Sequence, residues 1–237
     1  MNFLEIVQAL HRESTDSGTG PSTVVGQSGE LARFVAWCSD GYQALQIERD
    51  DWRWLRRNFT VNTVAGTDNY AFGSCTDSTS GSSIDRFSRW YEGRDETGFP
   101  YFSAYLTATG VGDQQPLLSI DWDLFRRLYK FSTQTNARPV HVAVGPDRKF
   151  YLGPKPDDTY TVGGTFQRGP QILALDADEP EMPLQYHALV WLEGLSRFGG
   201  NRVAPEAMLR AASEGGILRS SLELDQLPKM GYGAPLA

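Results

Sequence analysis

The chain has 237 residues, of which 40% are hydrophobic and 22% are charged, and its net charge at pH 7 is −7. This balance is typical of a globular protein with a sizeable core. The excess of acidic residues argues against a sequence-specific DNA-binding protein, which needs a basic face to neutralise phosphates. Two cysteines and three histidines that do not cluster along the sequence exclude a zinc site.

The sequence contains no segment typical of membrane insertion or export. No apolar run approaches the ~18 residues of a membrane-spanning helix. The N-terminal stretch MNFLEIVQALHRES lacks the basic region and apolar run of a signal peptide. We therefore expect a soluble protein made in a reducing cytoplasm.

Residues 1–57 are predicted to be helical because two apolar stripes recur at helical spacing. The first stripe predicts a short helix over 3–13, and the second, after a polar loop, predicts a long helix packed against other helices. Ser28 is the expected N-cap of the long helix. The motif DDWRWLRR at 50–57 is interpreted as the junction with the next block. The stripes are Phe3, Ile6, Val7 and Leu10, then Leu31, Val35, Cys38, Tyr42 and Leu45.

Residues 58–182 are predicted to form a β-rich domain with one inserted helix. FTVNTV and YAF, separated by the turn AGTDN, are expected to pair as a hairpin. Gly145-Pro146-Asp147 predicts a turn between two further strands. Asp121 and Asp123 precede LFRRLYKF and place acids at the positive start of a helix. The other strand candidates are IDRFSRWYE, YFSAYLTA, PVHVAVG, KFYLGPK and DTYTVGGTFQ, the last with a bulge expected at Gly163-Gly164.

Residues 183–219 are predicted to be helical again, and residues 220–237 to form an extended tail. Pro183 opens a helix that is expected to end at Gly199-Gly200, and APEAMLRAASEG forms a second, short helix. The helices at the two ends of the chain are expected to pack together because each carries an apolar stripe. The predicted fold class is α+β: a helical bundle formed by the N- and C-terminal helices, with a central antiparallel β-rich domain.

The sequence contains no recognisable catalytic motif. Asp50 and Asp51 lie among arginines and are interpreted as a solvated helix face rather than a catalytic carboxylate pair. Cys38 is interpreted as a buried core residue, and His141 and His187 are isolated in the sequence. No glycine-rich nucleotide-binding motif is present. We therefore expect no enzyme activity, no catalytic residues, no cofactor and no metal.

Aromatic and basic residues alternate in DDWRWLRR, RFSRWYEGR and FRRLYKF, which is the composition of a single-stranded nucleic-acid site. The same strings arise when strand and helix faces alternate buried aromatics with exposed charges, and the net acidity favours that interpretation. A β-rich binding module for carbohydrate or single-stranded nucleic acid is the alternative function. It requires exposed tryptophans, above all Trp90 and Trp122, whereas a structural protein would bury them.

A series of segments from Arg138 to Phe198 follows a recognisable order. A Pro-led strand precedes a strand with the pattern Leu-x-Pro-x-Pro-Asp-x-x-Tyr, and then come an aromatic strand, an acidic segment with prolines and a closing helix. Here they read RPVHVAVG, FYLGPKPDDTYTV and GTFQRGPQILALDADEPEMPLQYHALVWLEGLSRF. In the N-terminal half, LQI at 45–47 and DWRWL at 51–55 fit the same order. The chain in this respect resembles the head-to-tail adaptor (connector) proteins of tailed bacteriophages, the ring below the portal.

This resemblance implies a structural virion protein that forms a homo-oligomeric ring of twelve copies. The ring would join the portal protein to a downstream tail or nozzle protein. Genomic DNA would pass through its channel without specific binding, and no membrane would be involved. The protein would lie in the neck of a virion assembled in the host cytoplasm.

Nine residues are candidate contacts with a neighbouring subunit or the portal. Arginines at 53–57 could face the acidic segment 176–179 of a neighbour and orient it. Trp52 is expected to be buried at the junction, and the tail after Ser220 could order on binding the portal. The candidates are Trp52, Arg53, Arg56, Arg57, Asp176, Asp178, Glu179, Lys229 and Tyr232.

Overall fold

The computed structural model describes residues 1–14, 20–131 and 133–227. These residues form two compact units: a helical unit of residues 1–55 and 170–227, and a β unit of residues 56–169. Helices at both ends of the chain and largely antiparallel sheets between them confirm the predicted α+β class. The helices are α1 (Phe3–Glu13), α2 (Gly29–Glu48), α3 (Trp122–Tyr129), α4 (Ala188–Arg202) and α5 (Pro205–Gln226).

Helix α1 has a capped start and one buried face. The Glu5 N–H donates to the Asn2 side-chain oxygen at 2.9 Å, and the Glu5 carboxylate accepts from the Asn2 N–H at 2.9 Å. This reciprocal pair is a capping box, which satisfies two backbone donors that have no partner inside the helix. The four apolar residues of the first predicted stripe are fully buried. The helix spans the predicted residues, 3–13.

Helix α2 begins after Ser28 as predicted, although the Ser28 side chain makes no capping hydrogen bond. In the second predicted stripe the last three residues are buried, whereas Leu31 and Val35 are half-buried. Gly41 in this helix has a packing role. A Cβ on Gly41 would lie 2.8 Å from the Cβ of Glu193 in α4. A larger residue would push the two helices apart, so the glycine permits their close crossing.

The C-terminal helices differ from the prediction at their ends. Residues Leu184–Tyr186 form a short 3-10 turn, so α4 does not start at Pro183. Helix α4 also continues through Gly199-Gly200 and ends at Arg202, where Val203 adopts the left-handed conformation with φ 54°. Helix α5 continues to Gln226, so the predicted extended tail is wrong for residues 220–226.

The segment 170–182 belongs to the helical unit, although the sequence placed it in the β-rich domain. The side chain of Gln46 in α2 fixes this segment: its oxygen accepts from the Gln171 N–H at 2.7 Å, and its amide donates to the Gln171 carbonyl at 3.0 Å. The chain leaves the helical unit after Leu55 and returns at Pro170, instead of after residue 57 and at residue 183.

Ten strands in the described chain form two sheets of the β unit. The strands are β1 (Arg56–Asn62), β2 (Asn69–Tyr70), β3 (Thr76–Asp77), β4 (Arg89–Trp90), β5 (Ser103–Leu106), β6 (Gln115–Pro116), β7 (Leu118–Ser119), β8 (His141–Val144), β9 (Phe150–Gly153) and β10 (Tyr160–Gln167). One sheet has the order β3-β1-β10-β5-β6, with β4 also paired to β10. The other has the order β2-β9-β8-β7, and within it only β7 and β8 are parallel.

The predicted hairpin between FTVNTV and YAF is wrong. Strand β1 pairs with β10 and β3, whereas β2 pairs with β9 in the other sheet. The turn at Gly145-Pro146-Asp147 does join two paired strands, β8 and β9, as predicted. Local turn residues therefore identified both turns, but for β1 they did not reveal that its partner strand lies at the far end of the unit.

Gly163-Gly164 does not form the predicted bulge. The pairing of β1 with β10 is continuous, with Gly163 opposite Thr60 and Gly164 opposite Phe59. A Cβ on Gly164 would lie 2.7 Å from the ring of Phe59. The glycine therefore leaves room for the buried Phe59 ring.

The core of the β unit is aromatic. The centroid of the Phe59 ring lies between 4.6 and 6.3 Å from the centroids of Trp90, Phe102, Phe150 and Phe166. These rings come from both sheets, so they hold the two sheets together.

The inserted helix was predicted and is present as α3, whose N-cap Asp121 accepts from the Asp123 N–H at 2.9 Å.

Candidate docking surfaces

The acidic segment at 176–179 is built into the helical unit. The Asp176 carboxylate accepts from the Thr23 hydroxyl at 2.8 Å and from the Val24 N–H at 2.6 Å. The Asp178 carboxylate accepts from the N–H groups of Ala174 and Leu175 at 2.7 and 2.8 Å. Both carboxylates therefore stabilise loops of their own unit. Glu179, in contrast, has an exposed side chain.

The same segment also holds the start of helix α1. The N–H of Phe3 donates to the carbonyl of Asp178 at 2.7 Å, and the N–H of Leu4 donates to the carbonyl of Asp176 at 3.3 Å. Backbone donors in the first turn of a helix have no partner inside that helix. The segment thus supplies acceptors for α1 and carboxylates for the loop at residues 20–28. From the sequence these charges were expected to contact a neighbouring subunit, because their hydrogen bonds within the helical unit depend on the tertiary fold.

Replacing Asp176 with alanine is expected to lower the free energy of unfolding by about 1–3 kcal/mol, because it leaves the Val24 N–H and the Thr23 hydroxyl without their acceptor. The matched control is Glu179→Ala, which removes the same charge from an exposed position and is expected to change stability by less than about 0.5 kcal/mol. Urea denaturation of both variants provides the measurement. Equal stabilities would show that the Asp176 carboxylate does not fix the loop.

Trp52 and the neighbouring residues of DDWRWLRR are divided between core and surface. The Trp52 ring is 1% exposed and stacks on Trp54, with ring centroids 4.3 Å apart. Its indole N–H donates to the carbonyl of Leu45 at 3.0 Å. Trp52 is therefore part of the helical core and would influence an interface only by stabilising the fold. Arg53 is half-buried in the short 3-10 turn Arg53–Leu55.

Arg56 belongs to an arginine–tyrosine cluster in the β unit. Its guanidinium Nε donates to the Tyr91 hydroxyl at 2.9 Å and lies over the Tyr91 ring, 4.6 Å from the centroid. Arg89 lies over the same ring at 5.0 Å, and the Tyr91 hydroxyl donates to Gln167 at 2.7 Å. The cluster forms because Arg56, Gln167 and Arg89 pair side by side on three adjacent strands.

Three candidate contact residues remain: Arg57, Lys229 and Tyr232. Arg57 is half-buried, and its guanidinium donates to the carbonyl of Arg56 at 3.2 Å. Lys229 and Tyr232 lie outside the described residues. The structure brings Arg56 together with Tyr91 and Arg89, which the sequence did not predict as partners. Only the order of the strands in the sheet predicts that these residues meet, and that order cannot be read from local sequence.

The six tryptophans do not form an open stacking surface. Trp52, Trp54 and Trp90 are buried, and Trp37, Trp122 and Trp191 are half-buried. The Trp90 indole N–H donates to the Arg148 carbonyl at 2.9 Å, and the Trp122 ring lies 4.6 Å from the Tyr151 ring. Burial of Trp90 favours the structural interpretation over a carbohydrate or nucleic-acid binding module.

The two cysteines, His141 and His187 lie in environments typical of structural residues. Burial raises the pKa of the Cys75 thiol to about 12 and raises the pKa of the Cys38 thiol further, so neither is a reactive thiolate near neutral pH. The His187 ring nitrogens lie 3.1 and 3.0 Å from the carbonyl oxygens of Met1 and Met182. The His141 Nδ1 lies 2.7 Å from the Tyr129 hydroxyl, and burial lowers the pKa of His141.

Residues 1–14, 20–131 and 133–227 contain neither a metal-binding cluster nor a membrane-spanning helix. In this part of the chain, no group of three or more His, Cys, Asp or Glu side chains is placed to hold a metal ion. In the same residues, no helix combines the length and hydrophobicity needed to cross a membrane.

Two helices carry large apolar side chains on their solvent faces. On α3 and directly after it, Leu124, Leu128 and Phe131 are 41%, 46% and 72% exposed. On α5, Leu209, Ile217 and Leu224 are 70%, 71% and 80% exposed. Neither face was predicted from the sequence, where apolar residues on helices are expected to face the core. Clustered exposed apolar residues mark surfaces that bind other proteins.

The two units differ in charge. The β unit contains 13 Lys and Arg against 12 Asp and Glu, a net +1, whereas the rest of the chain contains 9 against 17, a net −8. The acidity of the protein is thus a property of the helical unit. The net charge of the whole chain does not reveal where along the chain the acidic residues are concentrated.

The exposed apolar faces of α3 and α5 are typical of a protein that assembles with other proteins. A family model described as SU10 adaptor protein matches residues 1–226. The chain therefore belongs to this family of phage head-to-tail adaptors, and its role is that of a structural adaptor. A search of curated proteins found no match.

Proposed function

We propose that the protein forms the joint between the portal and the tail of a phage virion. Copies of the chain assemble into a ring, twelve by resemblance to head-to-tail adaptors. The ring docks on the portal protein on one side and presents a platform to a tail or nozzle protein on the other. The match of the adaptor family to residues 1–226 carries this proposal.

The described residues support a role in assembly. Both α3 and α5 expose apolar side chains that a monomer has no reason to keep in water. Association through such surfaces requires no catalytic group. The protein thus acts without enzymatic activity or cofactor, in the neck of a virion assembled in the host cytoplasm.

The charge distribution supports passage of genomic DNA without specific binding. The chain outside the β unit carries a net charge of −8, which repels phosphates over a Debye length of about 8–10 Å at physiological salt. A channel lined by this part of the chain would let DNA slide instead of holding it. Glu179 is the exposed candidate for a contact with arginines of a neighbouring copy or with the portal.

The test is to mix the full chain with the portal of the same phage and to image the product by electron microscopy. We expect a ring of this protein stacked on one face of the portal, with the copy number read directly from the images. A competent portal that remains bare across a range of salt and pH would contradict the adaptor function proposed here. The portal alone and the chain alone serve as controls for unassisted ring formation.

A further inference from the structure

Helix α3 is apolar on two opposite sides. One side carries Trp122, Phe125 and Tyr129, whose rings pack against strands β8 and β9 of the β unit. The opposite side carries Leu124 and Leu128, which are exposed and lie four residues apart on one side of the helix. Phe131, just beyond the C-cap Lys130, is also exposed. We call these three residues the α3 outer face.

Helix α5 has a complementary outer face. Its buried side carries Ala211, Gly215 and Leu222. On the opposite side Leu209, Ile217 and Leu224 are exposed, and the small residues Ser213, Gly216 and Ser220 lie between them on the same side. Large side chains separated by small ones leave hollows that can receive side chains from a second helix.

A hollow beside the α5 outer face adds to this surface. Its volume is about 310 Å³, and it lies between α4 and α5. Ala212 and Gly216 form part of its lining, and the Glu193–Arg219 ion pair borders it. The hollow is large enough to receive an aromatic side chain such as Phe131.

The two outer faces carry opposite unpaired charges. In α3, Lys130 pairs with Asp68 and Arg126 lies 3.7 Å from Asp123. The exposed Arg127 has no ion-pair partner among the described residues. In α5, Arg210 and Arg219 are paired with glutamates of the helical unit. Glu206 is exposed and, within the described chain, unpaired, and it projects from the side of α5 that carries Leu209 and Leu224.

We propose that the α3 outer face of one copy of this chain packs on the α5 outer face of the next copy. The occupant is a second copy because every chain carries both surfaces, and their apolar patterns and unpaired charges are complementary. Two different patches give a head-to-tail contact, which produces a ring when the rotation closes. This inference rests on the proposed self-assembly into a ring and specifies the helices that form it.

The contact can be tested by crosslinking two single-cysteine variants of the full chain. Leu128→Cys and Leu209→Cys are purified separately, mixed under conditions that give rings, with or without portal, and treated with a short bismaleimide. The native Cys38 and Cys75 are buried and give a low background. We expect crosslinked dimers from the mixture and few from either variant alone. Leu128→Cys mixed with Val25→Cys, another exposed position in the helical unit, is the matched control.

A charge reversal tests the same contact independently. Arg127→Glu is expected to reduce the crosslink yield because it places a carboxylate opposite Glu206, and adding Glu206→Arg to the partner variant is expected to restore the yield. Both substitutions are on exposed positions, so folding should be unaffected.

The possible results distinguish a wrong α3–α5 contact from the absence of a ring. Rings that form without the 128–209 crosslink overturn the α3–α5 contact and leave the ring intact. Crosslinks between two Leu128→Cys chains, or from either cysteine to the portal alone, also overturn it. If no ring forms in any condition, the proposed ring and the contact both fail.

Discussion

Replacing Trp52 with alanine is expected to lower the free energy of unfolding of the helical unit by about 3–5 kcal/mol, the usual range for removing a buried aromatic side chain. Trp52 is 1% exposed, its ring stacks on Trp54, and its N–H bonds to the carbonyl of Leu45 near the end of α2. The alanine variant loses the packing, the stacking and the hydrogen bond together. A cavity remains because neighbouring residues relax only partly.

Hydrogen exchange measured by mass spectrometry would test this expectation by region. Exchange should increase in α2 and α4, whose residues share the core with Trp52. Trp52→Phe is the control: it keeps an aromatic ring but loses the N–H, so its cost should be about 1 kcal/mol from the hydrogen bond, plus a smaller packing loss. A loss below about 1 kcal/mol in the alanine variant would show that Trp52 does not anchor this core.

Replacing Phe59 with alanine is expected to cost the β unit about 3–5 kcal/mol. The ring is 1% exposed and contacts four other aromatic rings contributed by both sheets. It also covers Gly164 on the neighbouring strand, so its removal opens space between β1 and β10. The two sheets would lose the side chain at the centre of their shared core.

Thermal unfolding followed by near-UV circular dichroism provides the measurement, because clustered aromatic rings dominate that signal. Phe59→Leu, which keeps much of the apolar volume, is expected to cost clearly less, about 1–1.5 kcal/mol. Similar losses in both variants would show that the contacts between aromatic rings, and not the filled volume, determine stability at this position.

The sequence predicted elements wherever periodicity or a cap acts within a few residues. The buried stripe of α1, the start of α2 at Ser28, the inserted helix α3 and the turn at Gly145-Pro146-Asp147 follow from such local signals. The pairing of β1 with β10 could not be predicted in this way. Their register depends on residues separated by the whole β unit.

The candidate docking residues show the same limit. Burial of Trp52 was predicted from its position at the junction between the helical and β blocks, but the partners of Asp176 and Asp178 depend on how segments distant in sequence meet in the fold. The exposure of Leu124 and Leu209 could likewise not be predicted from the sequence. The sequence shows which residues are apolar. Tertiary packing determines which side of a helix faces the core.

The order in which the units occur along the chain has a consequence for synthesis. Among the described residues the β unit is one continuous stretch from residue 56 to residue 169, so it can fold on the ribosome as soon as β10 has emerged. The helical unit is discontinuous: α1 and α2 must wait for α4 and α5, which are translated last. During that interval the apolar stripes of α1 and α2 are uncovered and exposed to chaperones or to misassociation. A truncated product that stops before α4 would therefore contain a folded β unit but no helical core, and it would be a target for proteolysis.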